Sequence, residues 1–204
     1  LMTLAIVLLA AGNSVRFGTE DKLLTPLRGI PLVCHAARAL ASLPAASHLA
    51  VASNPKVAHC LQAVGFRTQM PQTSGGLSHS LRAGIAAAES SGASHCLLAL
   101  GDMPCLTRAD FLRLLALKGT RAAAMRTNGL AMPPALFPRS DFAKLLDLTG
   151  DQGARGLIQN LTADRYVALH ADHLIDIDVP QDLLRVRQST PQLGLSGCKA
   201  PRGA

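Results

Sequence analysis

The run at residues 4–9, LAIVLL, is almost purely aliphatic and leads directly into a glycine-bearing turn; no other stretch constrains the fold as much. An extended segment with apolar side chains at every position buries both of its faces, which marks an interior strand of an α/β sheet. In such sheets ligands lie in the crevice beyond the carboxyl ends of the strands. The turn that follows, within LAAGNSVRFGTEDKLL at residues 9–24, therefore stands where a ligand is expected. Gly12 and Gly18 bare backbone N–H groups there, and Arg16 and Lys22 add positive charge, which suits a polyphosphate.

Two familiar phosphate loops do not fit these residues. A P-loop needs its lysine directly after the second glycine, followed by Ser or Thr. Here Gly18 is followed by Thr19, and the lysine arrives only at Lys22. The dinucleotide fingerprint needs a second glycine two residues after the first, and position 14 is Ser14. The loop is thus of a third kind, with its basic side chains spread along it.

Strand patterns recur at residues 48–52, 95–100 and 121–125, with further ones at 166–169 and 174–177. Helical spacing lies between them, at 31–43, at 77–88 after Gly75-Gly76, and at 108–117, where Thr107 is a candidate N-cap with Asp110 in the first turn. Asp178-Val179-Pro180 is read as the start of a last helix through Leu184. This alternation predicts a three-layer α/β/α architecture around a doubly wound, mostly parallel sheet. Residues 127–150, with Pro133, Pro134 and Pro138, break the alternation and read as an excursion over the sheet edge, a lid or a wall for a second substrate. Residues 1–187 read as one domain and 188–204, rich in Ser, Gly, Pro and Gln, as a flexible tail.

A chain of 204 residues with 49% apolar content can bury a full core as one domain. No apolar run reaches the ~18 residues of a membrane span, so no membrane partner is expected. The first run lacks a basic flank and reads as a strand, not a signal peptide. The five cysteines, Cys34, Cys60, Cys96, Cys105 and Cys198, are scattered without a C-x-x-C pair, which predicts reduced thiols and a cytoplasmic location. The net charge of +7 comes with 15 arginines spread along the chain, no Trp, one Tyr and five Phe. With so few stacking platforms, nucleic acid is not the expected partner, and an anionic small molecule is.

Four further clusters bear on chemistry. After the strand at 95–100, Gly101-Asp102-Met103-Pro104 puts a carboxylate beside a glycine at a strand end, facing the same crevice as the first loop. Such a hard oxygen ligand suits Mg²⁺ held mainly by phosphate oxygens, although Gly, Asp and Pro also make ordinary turns. At 75–84, the hydroxyls of Ser78 and Ser80 suit a base edge or a ribose, while helix capping would account for one of them. Among Asp176, Asp178 and Asp182, Asp178 serves equally well as a second metal ligand or an N-cap. Gly150-Asp151-Gln152-Gly153-Ala154-Arg155-Gly156 opens either onto a second anionic substrate or simply a helix capped by Asp151. His and Cys show no zinc-ligand spacing, and no G-x-S-x-G elbow is present.

Five blocks in order, LAAGNSVRFGTEDKLL at 9–24, GGLSHSLRAG at 75–84, LALGDMP at 98–104, LTGDQGARGLI at 148–158 and DIDVPQDL at 176–183, resemble the MobA-like nucleotidyltransferases. Within that family the chain is most similar to the molybdenum cofactor cytidylyltransferases, over about residues 3–184. The resemblance implies a nucleotide-diphospho-sugar transferase-like fold. It implies an NTP held by Leu9, Ala10, Ala11, Gly12, Ser14, Gly18, Ser78 and Ser80, with Arg16 and Lys22 on the phosphates. It makes Asp102 a ligand of Mg²⁺, assisted by Asp178. L-A-A-G at 9–12, where guanylyl-transferring relatives tend to L-A-G-G, points to CTP. The chain departs from the family pattern at Met70-Pro71, where Asn-Pro is common, and at AMPPALF, 131–137. The implied reaction is CMP transfer to the terminal phosphate of a molybdopterin-type cofactor, with Arg16, Lys22 and Asp102 catalytic and a molybdenum hydroxylase as the recipient of the product. A guanylyl- or sugar-phosphate nucleotidyltransferase, or a non-catalytic cofactor carrier or maturation protein, is the alternative.

Overall fold

The computed structural model describes residues 2–12, 21–71, 76–150 and 153–189. Ser14, Arg16, Gly18 and Asp151 lie outside the described residues, as does 190–204 of the expected tail. In chain order the strands are β1 (Leu4–Ala10), β2 (Pro26–Leu27), β3 (Ile30–Pro31), β4 (Ser47–Ala52), β5 (Arg67–Gln69), β6 (His95–Leu100), β7 (Ala123–Thr127), β8 (Leu130–Pro138) and β9 (Tyr166–Ala168). The α-helices are α1 (Leu32–Ala41), α2 (Pro55–Ala63), α3 (Leu77–Ser90), α4 (Arg108–Ala116), α5 (Phe142–Leu146), α6 (Arg155–Ile158) and α7 (Pro180–Ser189).

Seven strands form one sheet in the order β5-β4-β1-β6-β8-β7-β9, and β2 and β3 form a small separate ribbon. Every residue of β1 is buried, as its unbroken aliphatic run requires, and it pairs in parallel with β4 on one side and β6 on the other. Within the seven-stranded sheet β8 alone runs antiparallel to its neighbours. Ile6 and Leu8 face one layer, packed with α1, α2, α4 and α7; Val7 and Leu9 face the other, packed with α3, α5 and α6. The expected three-layer, mostly parallel fold is therefore observed. The chain leaves β1 through α1 toward β4 and returns through α3 to β6 on the opposite side. This reversal opens a crevice beside the carboxyl end of β1.

Glycine permits the closest packing in that region. A Cβ on Gly84 of α3 would lie 2.4 Å from Val7 Cγ1, so α3 lies against the strand in a way no larger residue allows. At the end of β6, a Cβ on Gly101 would lie 3.1 Å from Val33 Cγ2 and 3.3 Å from Leu9 O, while the Gly101 amide donates to Leu9 O at 2.9 Å. The ends of β1 and β6 are thereby tied together.

Three expectations are corrected. Residues 127–150 are no excursion over an edge: β8 is an interior strand between β6 and β7. Its prolines mislead because the ladder passes them over; Met132 pairs with Met125 and Ala135 with Ala124, leaving the cis-linked Pro133-Pro134 without partners on β7. Residues 174–177 are not a strand; the segment crosses the carboxyl ends of the sheet, and Ile177 N donates to Asp102 O at 3.0 Å. The last helix continues past Leu184 to Ser189. The short β2, β3, β5 and α5 escaped the periodicity argument, and so did α2, although Asn54-Pro55 carries the N-cap and first-turn proline signature, with Asn54 Oδ1 accepting from Lys56 N at 2.9 Å.

Candidate active site

Lys22 sits in a short 3₁₀ turn, Lys22–Leu24, that the side chains of Asp21 and Asn54 fix in place. The Asp21 carboxylate accepts from Leu23 N at 3.0 Å and from Asn54 Nδ2 at 3.0 Å, which anchors the turn to the end of β4. Lys22 is itself only 8% exposed. Its Nζ donates to Asp102 Oδ2 at 2.8 Å, to Ile177 O at 2.8 Å and to Asp178 Oδ1 at 3.1 Å. One ammonium thus joins the end of β6 to the segment before α7 across 80 and 156 residues of chain. Burial acts to lower the Lys22 pKa, but the charges and hydrogen bonds of Asp102 and Asp178 outweigh it and raise the pKa above its ordinary value. The residue is therefore a fixed cation.

The Asp178 carboxylate accepts from Lys22 while a different residue caps the helix. Asp182 Oδ2 accepts from Asp178 N at 3.0 Å and from Val179 N at 2.9 Å. Of the two readings open at Asp178, the geometry accordingly favours the carboxylate that faces Asp102. Asp176 stands close by, and burial, with the charges of Asp178 and Asp102, pushes its carboxyl up.

The donor set fits a hard divalent cation. Asp102 Oδ1 is buried and has no hydrogen-bond partner among the described residues, an oxygen that protein rarely leaves bare. Two carboxylates on one side of a crevice, with the remaining ligands supplied by phosphate and water, is the usual way Mg²⁺ is held. Among the described residues no group of three or more His, Cys, Asp or Glu is arranged to hold a metal. A cation here would need substrate oxygens to complete its shell.

The other expected site residues are placed as follows. Leu9 and Ala10 end β1 and are buried; Ala11 and Gly12 continue from it, and a Cβ on Gly12 would meet none of the described residues within 4 Å. Ser78 and Ser80 are buried in the first turn of α3, whose amino end lies at the carboxyl side of the sheet. The Ser78 hydroxyl donates to Gly150 O at 2.6 Å, tying α3 to the glycine-rich segment at 148–156. Gly153 packs against Leu77 so closely that a Cβ would lie 2.8 Å from Leu77 Cδ2. A cleft of about 400 Å³ along β4 and β5 is lined by none of Lys22, Asp102 or Asp178.

The domain model of the MobA-like NTP transferases matches residues 6–173. The chain belongs to this family. It is 29% identical over 198 residues to the purine catabolism protein PucB of Bacillus subtilis (strain 168), covering 90% of this chain and 95% of that one. Its fold is similar to the crystal structure of Rv0371c from Mycobacterium tuberculosis H37Rv, at 24% identity and a TM-score of 0.76 over 92% of this chain and 98% of that one. Rv0371c has also been solved in complex with manganese. A nucleotidyl transferase from Methanothermobacter thermautotrophicus is similar as well, at 24% identity and a TM-score of 0.77 over 91% and 96% of the two chains. Asp178 lies beyond the residues matched by the family model, so its part in the site rests on its bond to Lys22.

Sequence reasoning singled out Lys22, Asp102 and Asp178 and missed the groups that fix them. Asp21 acts locally, as the cap of the turn that carries Lys22, while Asn54 and the Ile177 carbonyl are brought to the site by tertiary contacts.

Proposed function

We propose that this transferase moves CMP from CTP to the terminal phosphate of a molybdopterin-type cofactor and releases pyrophosphate. The observation that carries the reading is the Lys22–Asp102–Asp178 cluster with its unpartnered buried Asp102 oxygen, at the crevice beside β1. Asp102 and Asp178 would hold Mg²⁺, which when bound supplies positive charge against the triphosphate. Ala10, Ala11 and Gly12 present backbone to the nucleotide, and Arg16 is assigned to its phosphates by the family pattern. The acceptor phosphate attacks the α-phosphorus in line, so no protein nucleophile is required; positioning and fixed charge do the work. All three Lys22 N–H donors rest on protein oxygens, so Lys22 reaches a phosphate only if one carboxylate lets go. Asp178, with its side chain 53% exposed against 21% for Asp102 and the longer bond to Lys22, 3.1 Å against 2.8 Å, is the one expected to let go. L-A-A-G at 9–12 and G-D-x-G-A-R at 150–155 support cytidylyl over guanylyl transfer.

The relative named for purine catabolism supports a recipient of the molybdenum hydroxylase class, and equally the reading of a maturation partner that binds cofactor without transfer. A thermal-shift titration with CTP, GTP, ATP and UTP, each with and without Mg²⁺, tests the proposal. Selective, metal-enhanced stabilisation by CTP is expected; a GTP preference moves the chain to the guanylyl branch. Arg16→Ala is expected to abolish transfer while the melting temperature stays unchanged, and full turnover in that variant would remove Arg16 from the mechanism.

A further inference from the structure

Among the described residues two arginines are not exposed, Arg165 and Arg126, and they are held in opposite ways. Arg165 donates to the carbonyls of Leu117, Arg121 and Ala122 and closes the end of α4 onto β7. Arg126, half-buried near the carboxyl end of β7, has neither a hydrogen bond nor a carboxylate partner for its guanidinium among the described residues. What it has is the face of Tyr166, with Cζ 5.1 Å from the ring centroid. The ring is rigid: its hydroxyl donates to Ile158 O at 2.7 Å, with Gln159 O at 3.0 Å, and accepts from Leu161 N at 3.0 Å. Parallel pairing of Ala124 with Tyr166 places residue 126 on the same sheet face as that ring.

A guanidinium that has lost part of its hydration and keeps its donors without acceptors is the exception in native proteins. Stacking on an aromatic face holds the charge in place and leaves the N–H edge available to an oxygen. The location gives the oxygen a source. β7 runs parallel to β6 with β8 between them, so Arg126 and Asp102 lie at the same end of the sheet, roughly 10 Å apart across two strand spacings. β1 lies on the other side of β6.

We propose that Arg126 anchors the acceptor, donating to an oxyanion or ring carbonyl of the molecule whose phosphate attacks the nucleotide, with Tyr166 as its positioning residue. This rests on the two-substrate reading above. An acceptor spanning from Asp102 to Arg126 carries its phosphate at one end and a flat, oxygen-bearing ring at the other, and for a pterin the contact falls on the ring.

Two titrations separate this from the proposed reaction: CTP with Mg²⁺ by calorimetry, and a phosphorylated pterin by its own fluorescence, which a chain with no Trp and one Tyr leaves unobscured. Arg126→Ala is expected to weaken the pterin phosphate by about tenfold or more, the size of a lost charge-assisted hydrogen bond, and to leave CTP binding unchanged. Arg126→Lys is expected not to restore it, since lysine lacks the planar fork, and Tyr166→Leu to weaken it by a smaller factor. Weakened CTP binding with unchanged pterin binding assigns Arg126 to the nucleotide and overturns the proposal, and so does no effect on either ligand. If the wild-type chain ignores the pterin phosphate, the pterin acceptor falls. The same comparison with hexose 1-phosphate then decides Arg126: loss of binding in Arg126→Ala upholds it, and equal binding overturns it.

Discussion

Asp102 and Asp110 are carboxylates eight residues apart after the same strand, and the structure treats them in opposite ways. Asp110 is held by its own helix cap. Its Oδ2 accepts from Thr107 N at 3.0 Å, from Thr107 Oγ1 at 2.7 Å and stands 3.0 Å from His173 Nδ1, completing a capping box at the start of α4. Burial acts to raise its pKa, but the Thr107 hydrogen bonds and His173 outweigh it, so the carboxyl lies below its ordinary value. Asp102 has one oxygen on Lys22 and the other buried with no partner among the described residues. The carboxylate that builds the fold gathers its hydrogen bonds from its own helix cap and from His173, whereas the one built for a ligand keeps a buried oxygen in reserve.

Asp102→Asn should reduce transfer by about 10²–10³-fold or more, the scale of a lost electrostatic contact to the reacting phosphates, while the variant, with Lys22 still paired to Asp178, stays folded. Stopped-assay rates and melting curves on the same preparation check this; a folded, fully active variant would end the case for Asp102. Lys22→Met comes next. It leaves two carboxylates facing each other, which for a fully buried pair costs about 3–5 kcal/mol, and partial exposure of Asp102 and Asp178 reduces that to roughly 1–3 kcal/mol. Added Mg²⁺ should restore more stability to this variant than to the wild type, as measured by denaturant unfolding; an equal response would mean the two carboxylates do not share a cation.

On the structural side, Thr107→Val should cost about 1 kcal/mol through the lost cap and leave transfer rates untouched. The smallest effect is in acid. Because the folded pKa of Asp110 is depressed, its contribution is complete above the ordinary carboxylate value of 3.8 and is lost as pH falls through the lower folded value. Asp110→Asn should therefore flatten the stability profile below about pH 4 and nowhere else. Flattening near neutrality would assign the titration to a different group.

Where one side-chain pattern carries the information, the sequence was a good guide. β1, β6, α1, α3 and the Thr107 cap are legible because burial on two faces, helical spacing and capping are local properties. β8 was not legible, since two prolines signal a break unless the partner strand is known to pass them over. Arg126 was not legible either; among 15 arginines only its half-burial and its missing partners distinguish it, and both are properties of the surroundings.

The linear chain by itself determined that a buried strand runs into a basic, glycine-bearing loop, and that a carboxylate follows the strand at 95–100. Those features depend on neighbours a few residues away, where the covalent chain already fixes the distances. Only the tertiary structure decided that Lys22, Asp102, Ile177 and Asp178 meet, that Asp182 takes the capping role from Asp178, and that β8 enters the sheet between β6 and β7. Contacts spanning 80 to 156 residues are set by how whole layers pack, and no local preference encodes them.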